Sequence, residues 1–321
     1  MIGYEDFAKL FMETLQQQLP EGTELSRRDV TKTNGIVKDG LSVRYADYSN
    51  IAPTVYLDDA FTYYKNHDGA TPEDMARDTA RMLASQRSNM PEMPDFSPEA
   101  VRANLYCVLV NAEKNMDLLK DTPHELIEDL AVICRYRVGD NGSFVVTNDL
   151  CRSQLRLTSD EILEIARVNT ERQGFDCMRL SDMIREQALA AGMPEEMAEE
   201  MYRMQEESLC MFVMTNKQRY DGAIALASKQ ALKDAYEKIG GDFYVLPSSR
   251  HEVILLPTTC SVGVEDLKQM VKDINASTVA AEERLSDFVY KYDGRQLTLA
   301  DKRVEVKEQV AERHQSHAMS R

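Results

Sequence analysis

The sequence predicts an α+β protein: a small N-terminal domain of helix, hairpin, strand and helices, then a larger domain of antiparallel hairpins and packed helices. Three observations predict it. Apolar residues recur at spacings of three and four in some stretches, and period-two alternation marks others. Most of the alternating stretches come in neighbouring pairs joined by Asn-Gly, Asp-Gly or other glycine-containing turns, the connection that antiparallel strands use.

The opening stripe Phe7, Leu10, Phe11, Leu15 and Leu19 is one face of a helix that Pro20 and Gly22 end. Segments 25–33 and 41–46 flank Asn34-Gly35 and Asp39-Gly40, dipeptides that tolerate positive φ, and are expected to pair as a hairpin with an extended connection. A third strand is expected over 53–57. Helices are expected to start at Asp58 and at Thr71-Pro72. The second has Thr71 as its N-cap, Pro72 at the first helical position and Asp74 three residues after the cap, with Met75, Thr79, Met82 and Leu83 on its apolar side. Pro91, Pro94 and Pro98 make 91–99 a linker, because proline blocks helix interiors and central strands. A module of 1–90 and a main domain of 100–300 follow from that boundary.

In the main domain, 105–111 is an apolar strand. Thr122-Pro123-His124-Glu125 has the spacing of a capping box, and a short helix is expected there; the same residues only superficially match a zinc helix, since Glu128 stands where a second histidine is needed. Leu130, Val132, Cys134, Tyr136 and Val138 alternate with Arg135 and Arg137, a strand with one wet face that turns at 139–142 into a partner over 143–148. Expected next are a helix over 159–170, a helical stretch through Met204, a strand over 209–215, and a helix from Tyr220 or Asp221 to Ile239 that Gly240-Gly241 ends. The pentapeptides at 144–148 and 212–216 are alike, too short to establish a duplication. Hairpins over 243–246 with 252–256 and 287–292 with 296–299, and a helix over 264–274 between them, close the fold. Residues 301–321 are nearly all polar, a tail expected to be mobile, and that mobility accounts for His314 and His317 better than metal binding does.

Charge and motif content exclude several functions. The net charge of −16 over 321 residues repels phosphate backbones, which argues against general nucleic-acid binding. Neither a G-x-x-x-x-G-K-[ST] loop nor a G-x-G-x-x-G turn is present, and there is no G-x-S-x-G elbow. Cys107, Cys134, Cys151, Cys177, Cys210 and Cys260 form no C-x-x-C pair and are expected to be small buried hydrophobes, not a zinc site or a disulfide framework. The first residues carry Glu5 and Asp6 and no basic start, unlike a signal peptide, and no run approaches the ~18 apolar residues of a membrane span. A cytoplasmic protein without metal or cofactor is expected.

Two groups of residues remain as candidates. Ser248, Ser249, His251 and Glu252, with Arg250 among them, sit between two apolar strands. A histidine close to two hydroxyls could serve as a base, or the turn could bind a small polar ligand with the amide of Asn216. Tight-turn hydrogen bonding of the serines accounts for the same residues without any ligand. Met193, Met197, Met201 and Met204 recur at helical spacing beside Glu195, Glu196, Glu199, Glu200 and Glu206. Such a stripe normally packs a core, but flexible thioethers also line adaptable partner surfaces.

The residues Asn111-Ala112-Glu113-Lys114-Asn115, Asp129-Leu130-Ala131, Thr215-Asn216, the run from Leu246 through Ile254, Asn275 and Leu285-Ser286-Asp287 form a series. In it the chain resembles, over nearly its full length, a domain-of-unknown-function family of clostridial and gut-bacterial proteins. It is more distantly similar to the YtpQ family of Firmicutes in its order of helices and hairpins. Neither resemblance implies an activity. The function expected is that of a non-catalytic protein-interaction or chaperone-like accessory factor. The rivals are a ligand-binding or hydrolase-type site at the His251 turn and an acidic mimic of nucleic acid.

Overall fold

The structure, a computed structural model, describes residues 2–46, 52–87, 94–139, 142–206 and 210–300, without the side chains of 201 and 203–206. It is α+β, with three antiparallel sheets among the described residues. The chain divides into two compact units, one of Met1–Glu125 with Val132–Arg172 and one of Leu126–Ala131 with Gln173–Arg321. The expected linker at 91–99 falls within the first unit, its residues 91–93 outside the described residues, as is the tail of 301–321.

The first unit opens with α1 (Tyr4–Gln18), which buries Phe7, Phe11 and Leu15. A sheet of β1 (Glu24–Thr31), β2 (Val37–Arg44) and β3 (Thr54–Tyr56) follows, then α2 (Leu57–Asn66) and α3 (Pro72–Arg87). Leu41, Val43, Leu57, Ala76 and Leu83 complete this core with the α1 side chains. Each large apolar side chain so buried contributes about 1.5–3 kcal/mol. Thr71 caps α3 as expected, accepting the Asp74 N–H at 3.1 Å and donating to the Asp74 carboxylate at 2.8 Å.

Two expectations for this unit are corrected. β2 begins at Val37, so Asp39-Gly40 lies inside the strand, and the chain turns at 33–35, where Asn34 and Gly35 adopt φ of 63° and 66°. Gly40 is needed there for space: a Cβ would come within 2.5 Å of Val30 Cγ2 and 3.0 Å of Thr54 Cγ2. The buried side of α3 is Ala76, Ala80 and Leu83, and Met82 is exposed, because small residues let α3 approach α1 closely.

Next come α4 (Pro98–Asn104), β4 (Leu105–Asn111), α5 (Met116–Lys120), β5 (His124–Ile127), β6 (Leu130–Val138) and β7 (Gly142–Val145). β6 is central, between β4 and β5, and also pairs with β7. Pro98 is the first residue of a helix capped by Ser97, a position where proline's missing N–H costs nothing. The capping box expected at Thr122 does not form. The Thr122 hydroxyl donates back to Leu118 O at the end of α5, and His124 and Glu125 are strand residues of a hairpin that turns at Glu128, φ 52°. The turn residues α6 (Asn148–Leu150) and the helix α7 (Ser159–Gln173) end this unit.

The second unit contains β8 (Phe175–Arg179), α8 (Leu180–Ala190), α9 (Glu195–Glu206), β9 (Phe212–Asn216), α10 (Lys229–Ile239), β10 (Phe243–Leu246), β11 (Val253–Pro257), α11 (Val264–Ser277), β12 (Tyr290–Tyr292) and β13 (Leu297–Leu299). Its sheet runs β13-β12-β10-β11-β9-β8. Sequence reading missed β8, merging it into one helical stretch; Gly174, φ 73°, breaks the helix before it. The single helix expected from Tyr220 is a 3-10 segment at Gly222–Ala227 followed by α10, with Ser228 capping α10. Leu246, Leu256, Leu267, Val271 and Val289 form a core on one side of the sheet. No helix among the described residues is long and apolar enough to cross a membrane.

Candidate functional site

β9 and β11 are antiparallel, with Val253 opposite Met214, so the loop after β9 emerges at the same sheet end as the β10–β11 turn. This register brings Asn216 and the Ser248–Glu252 turn to one place. The Asn216 side chain closes its own loop, donating to Tyr220 O at 2.8 Å and accepting the Tyr220 N–H at 3.3 Å. Arg219 and Asp221, either side of Tyr220, are both left-handed, φ 53° and 56°, which turns the chain sharply back toward the sheet. Gly222 follows where no side chain fits: a Cβ would come within 2.2 Å of Thr215 Oγ1 and 2.6 Å of His251 O.

The two loops then bond to each other. Gly222 N donates to His251 O at 3.0 Å, Ala223 N to Arg250 O at 3.1 Å, and Thr215 Oγ1 to His251 O at 2.8 Å. The Asp221 N–H points at His251 Nδ1 at 3.2 Å. Nδ1 therefore serves as an acceptor, and the neutral ring carries its proton on Nε2, which donates to Glu283 Oε1 at 3.1 Å. The Ser249 hydroxyl accepts the backbone N–H of His251 at 3.1 Å. Ser248 contributes its carbonyl, which accepts Leu285 N–H at 3.2 Å, and Ser249 bridges Arg284. Glu252 is half-buried, just before β11.

Beneath the turn, Arg250 Nε lies 2.7 Å from Asp221 Oδ1, with the Asp221 side chain only 4% exposed. The pair is in ionic contact without the alignment of a hydrogen bond, and Asp221 Oδ2 has no hydrogen-bond partner. Arg250 also donates to the Tyr220 hydroxyl at 3.1 Å, and the Tyr220 ring lies 4.8 Å from the His251 ring. Chemically, the lone pair a histidine base would use is occupied by a backbone N–H. No hydrogen bond joins the His251 ring to Ser249 among the described residues. Asp221, Tyr220 and Glu283 were not foreseen as members of this cluster. Glu283 is 32 residues from His251, and no local pattern signals it.

A second polar cluster gathers residues of the series noted above. Asp129 accepts from Ser286 Oγ at 2.7 Å and from the Tyr290 hydroxyl, and Asn275 Nδ2 donates to Ser286 O at 2.9 Å and Asp287 Oδ1 at 2.7 Å. Burial pushes the Asp129 carboxyl above its ordinary range, against the pull of the two hydroxyl donors, and burial also raises Tyr290. Asn111 and Asn115 have a structural use in the other unit. Asn115 exchanges two 2.8 Å hydrogen bonds with Asn34 and so holds the β1–β2 turn.

Of the methionine stripe, Met193 is half-buried and Met197 is 55% exposed, while Ala198 is the buried residue among the described side chains of α9. The side chains of Met201 and Met204 lie outside the described residues. All six cysteines are free, with Cys107, Cys134 and Cys151 buried and Cys210 exposed, not buried as expected. Burial pushes the Cys177 thiol up to about 11, so it stays protonated at neutral pH and is a poor nucleophile. Among the described residues, no group of three or more His, Cys, Asp and Glu could hold a metal ion.

Fold and loops together define an α+β protein whose His251 turn is braced by its own neighbours. The chain belongs to a family of unknown function (DUF5688), whose family model matches residues 4–294. No curated protein and no solved structure matches the chain.

Proposed function

We propose that the protein is a non-catalytic interaction factor, chaperone-like in offering an adaptable contact, and that α9 meets a basic amphipathic segment of a partner protein. Met197 carries this reading. It is an exposed thioether one residue before Ala198, which is buried, and flexible thioethers pack against varied apolar partners. Glu196 and Glu200 flank it at positions i−1 and i+3 of the helix, so a cationic segment is favoured and an acidic one repelled. Arg185 holds part of this frame, 3.1 Å from Glu199 and 3.8 Å from Glu195, and Glu196 and Glu200 stay exposed. Free cysteines suit a reducing bacterial cytoplasm as the setting.

A photo-crosslinking residue placed at position 197 in the native host tests the proposal, with one at Glu237 on α10 as control. The expected result is a discrete protein adduct from 197 alone, lost in the Glu196→Lys/Glu200→Lys variant and mapping to a basic segment of the partner. Identical adducts from both positions, or an adduct that survives charge reversal, would sink it.

A further inference from the structure

On the β1–β2–β3 sheet, the side chains on opposite faces meet contrasting fates. Toward α1, Arg27 is fully engaged: its guanidinium makes two 2.9 Å bonds to Glu5 and bonds of 3.0 and 2.9 Å to Asp39, whose carboxyl is held below its ordinary range by that contact. The next residue, Arg28, points to the other face, as strand alternation requires. There the register sets Ser26 opposite Ser42, Ser42 opposite Thr54, and Glu24 opposite Arg44. Ser42 is thus the centre of a polar grid with Arg44 two residues along its own strand and Arg28 on the diagonal. A cavity of about 180 Å³ opens on this face, lined by Glu24, Ser26, Arg28, Ser42, Arg44 and Ala52.

Two observations point to a ligand. Ser42 is 7% exposed, and its Oγ has no hydrogen-bond partner among the described residues, although a buried hydroxyl left unmatched is unfavourable. Arg28 and Arg44 are exposed and have no hydrogen-bond or ion-pair partner among the described residues, even with Glu24 directly across from Arg44.

We propose that this cavity binds the phosphate group of a small phosphate monoester. Arg28 and Arg44 bind its oxygens through charge-assisted bonds, and Ser42 donates its hydroxyl proton from the cavity floor. The cavity is smaller than the roughly 300 Å³ at which pockets for drug-sized ligands begin, so it takes the phosphate and leaves the remainder of the ligand toward solvent. Two guanidiniums against the single carboxylate of Glu24 favour one phosphate group over a polyphosphate.

Titration calorimetry of the full chain with inorganic phosphate and with glycerol phosphate, at constant ionic strength, tests the assignment. Both are expected to bind, with affinity falling about tenfold in Arg28→Met and in Arg44→Met, the scale of one lost charge-assisted contact. Ser42→Ala is expected to weaken binding while raising the melting temperature of the ligand-free chain, because it removes the unmatched hydroxyl. Phosphate heats equal to those of chloride, or binding unchanged in both arginine variants that retain wild-type melting curves, would overturn the proposal. Once binding is seen, sedimentation with phosphatidic acid vesicles separates the sources. Co-sedimentation lost in Arg28→Met assigns a lipid headgroup, and its absence assigns a free phosphate ester.

Discussion

The loops around His251 and the outer face around Ser42 are both rich in hydroxyls and cations, yet their charged groups are in opposite states. At His251 both ring nitrogens and the Ser249 oxygen are hydrogen-bonded within the same unit, and the Arg250 charge is paired with Asp221 in ionic contact though without hydrogen-bond alignment. At Ser42 the hydroxyl is unmatched and two guanidiniums face a cavity without partners among the described residues. Polarity alone therefore does not mark a site, since polar residues that satisfy one another form a brace. Charge left unpaired after the fold is complete is the better sign. This contrast predicts that changes in the first region act on stability, whereas Arg28 and Arg44 act on binding.

The largest effect is expected from Asp221→Ala. Removing it strands Arg250 in a site where that side chain is only 13% exposed, and unfolding should become easier by about 3 kcal/mol, as for a broken buried pair. The Asp221→Leu/Arg250→Met double variant should recover much of that loss in urea titrations. A cost for Asp221→Ala no greater than for an exposed residue would break the comparison, because the pair would then not be part of a brace. Gly222→Ala comes next, at about 2–3 kcal/mol, since its Cβ meets the backbone at Asn216 and His251, which cannot give way as a flexible side chain could. His251→Ala follows at about 1–2 kcal/mol, the consequence of leaving the Asp221 N–H without its acceptor. If His251→Ala abolished a turnover or ligand response while the melting temperature held, the turn would be a site after all, and the contrast with Ser42 would fail.

Much of the fold was legible in the sequence because its signals are local. Phe7, Phe11 and Leu15 specify α1 by spacing, Thr71-Pro72 caps α3, and Asp293-Gly294 joins β12 to β13. What misled was a local signal overruled by pairing. Thr122 and Glu125 have capping-box spacing, but strand pairing with β6 holds 124–127 extended. Asp39-Gly40 has turn composition, but Gly40 is there for the close contacts of Val30 and Thr54. Of the candidate cluster, the turn and Asn216 could be read from sequence, whereas Asp221 and Glu283 join it only through the sheet register and the return of the chain at 280–286. The Ser42 face was invisible for a different reason: its unmatched hydroxyl and two unpaired arginines are defined by contacts they lack among the described residues, which spacing cannot express.

Asp129 sharpens the contrast with the smallest expected effect. Like His251 it is committed to partners, here the hydroxyls of Ser286 and Tyr290, but burial raises its pKa above the unfolded value of about 3.9. A raised carboxyl favours proton uptake in the folded state. Its contribution to stability is therefore greatest at low pH and is lost as pH rises through the folded pKa. Asp129→Asn keeps an acceptor oxygen for the hydroxyls and removes the titration. The stability of wild type relative to this variant should then grow as pH falls from about 7 to about 4, measured by urea unfolding across that range. A relative stability that shrinks toward acid would mean the two hydroxyl donors outweigh burial and hold the carboxylate charged. Asp129 would then be an ionised centre bound by its neighbours, nearer in character to Asp39 than to a sealed neutral brace.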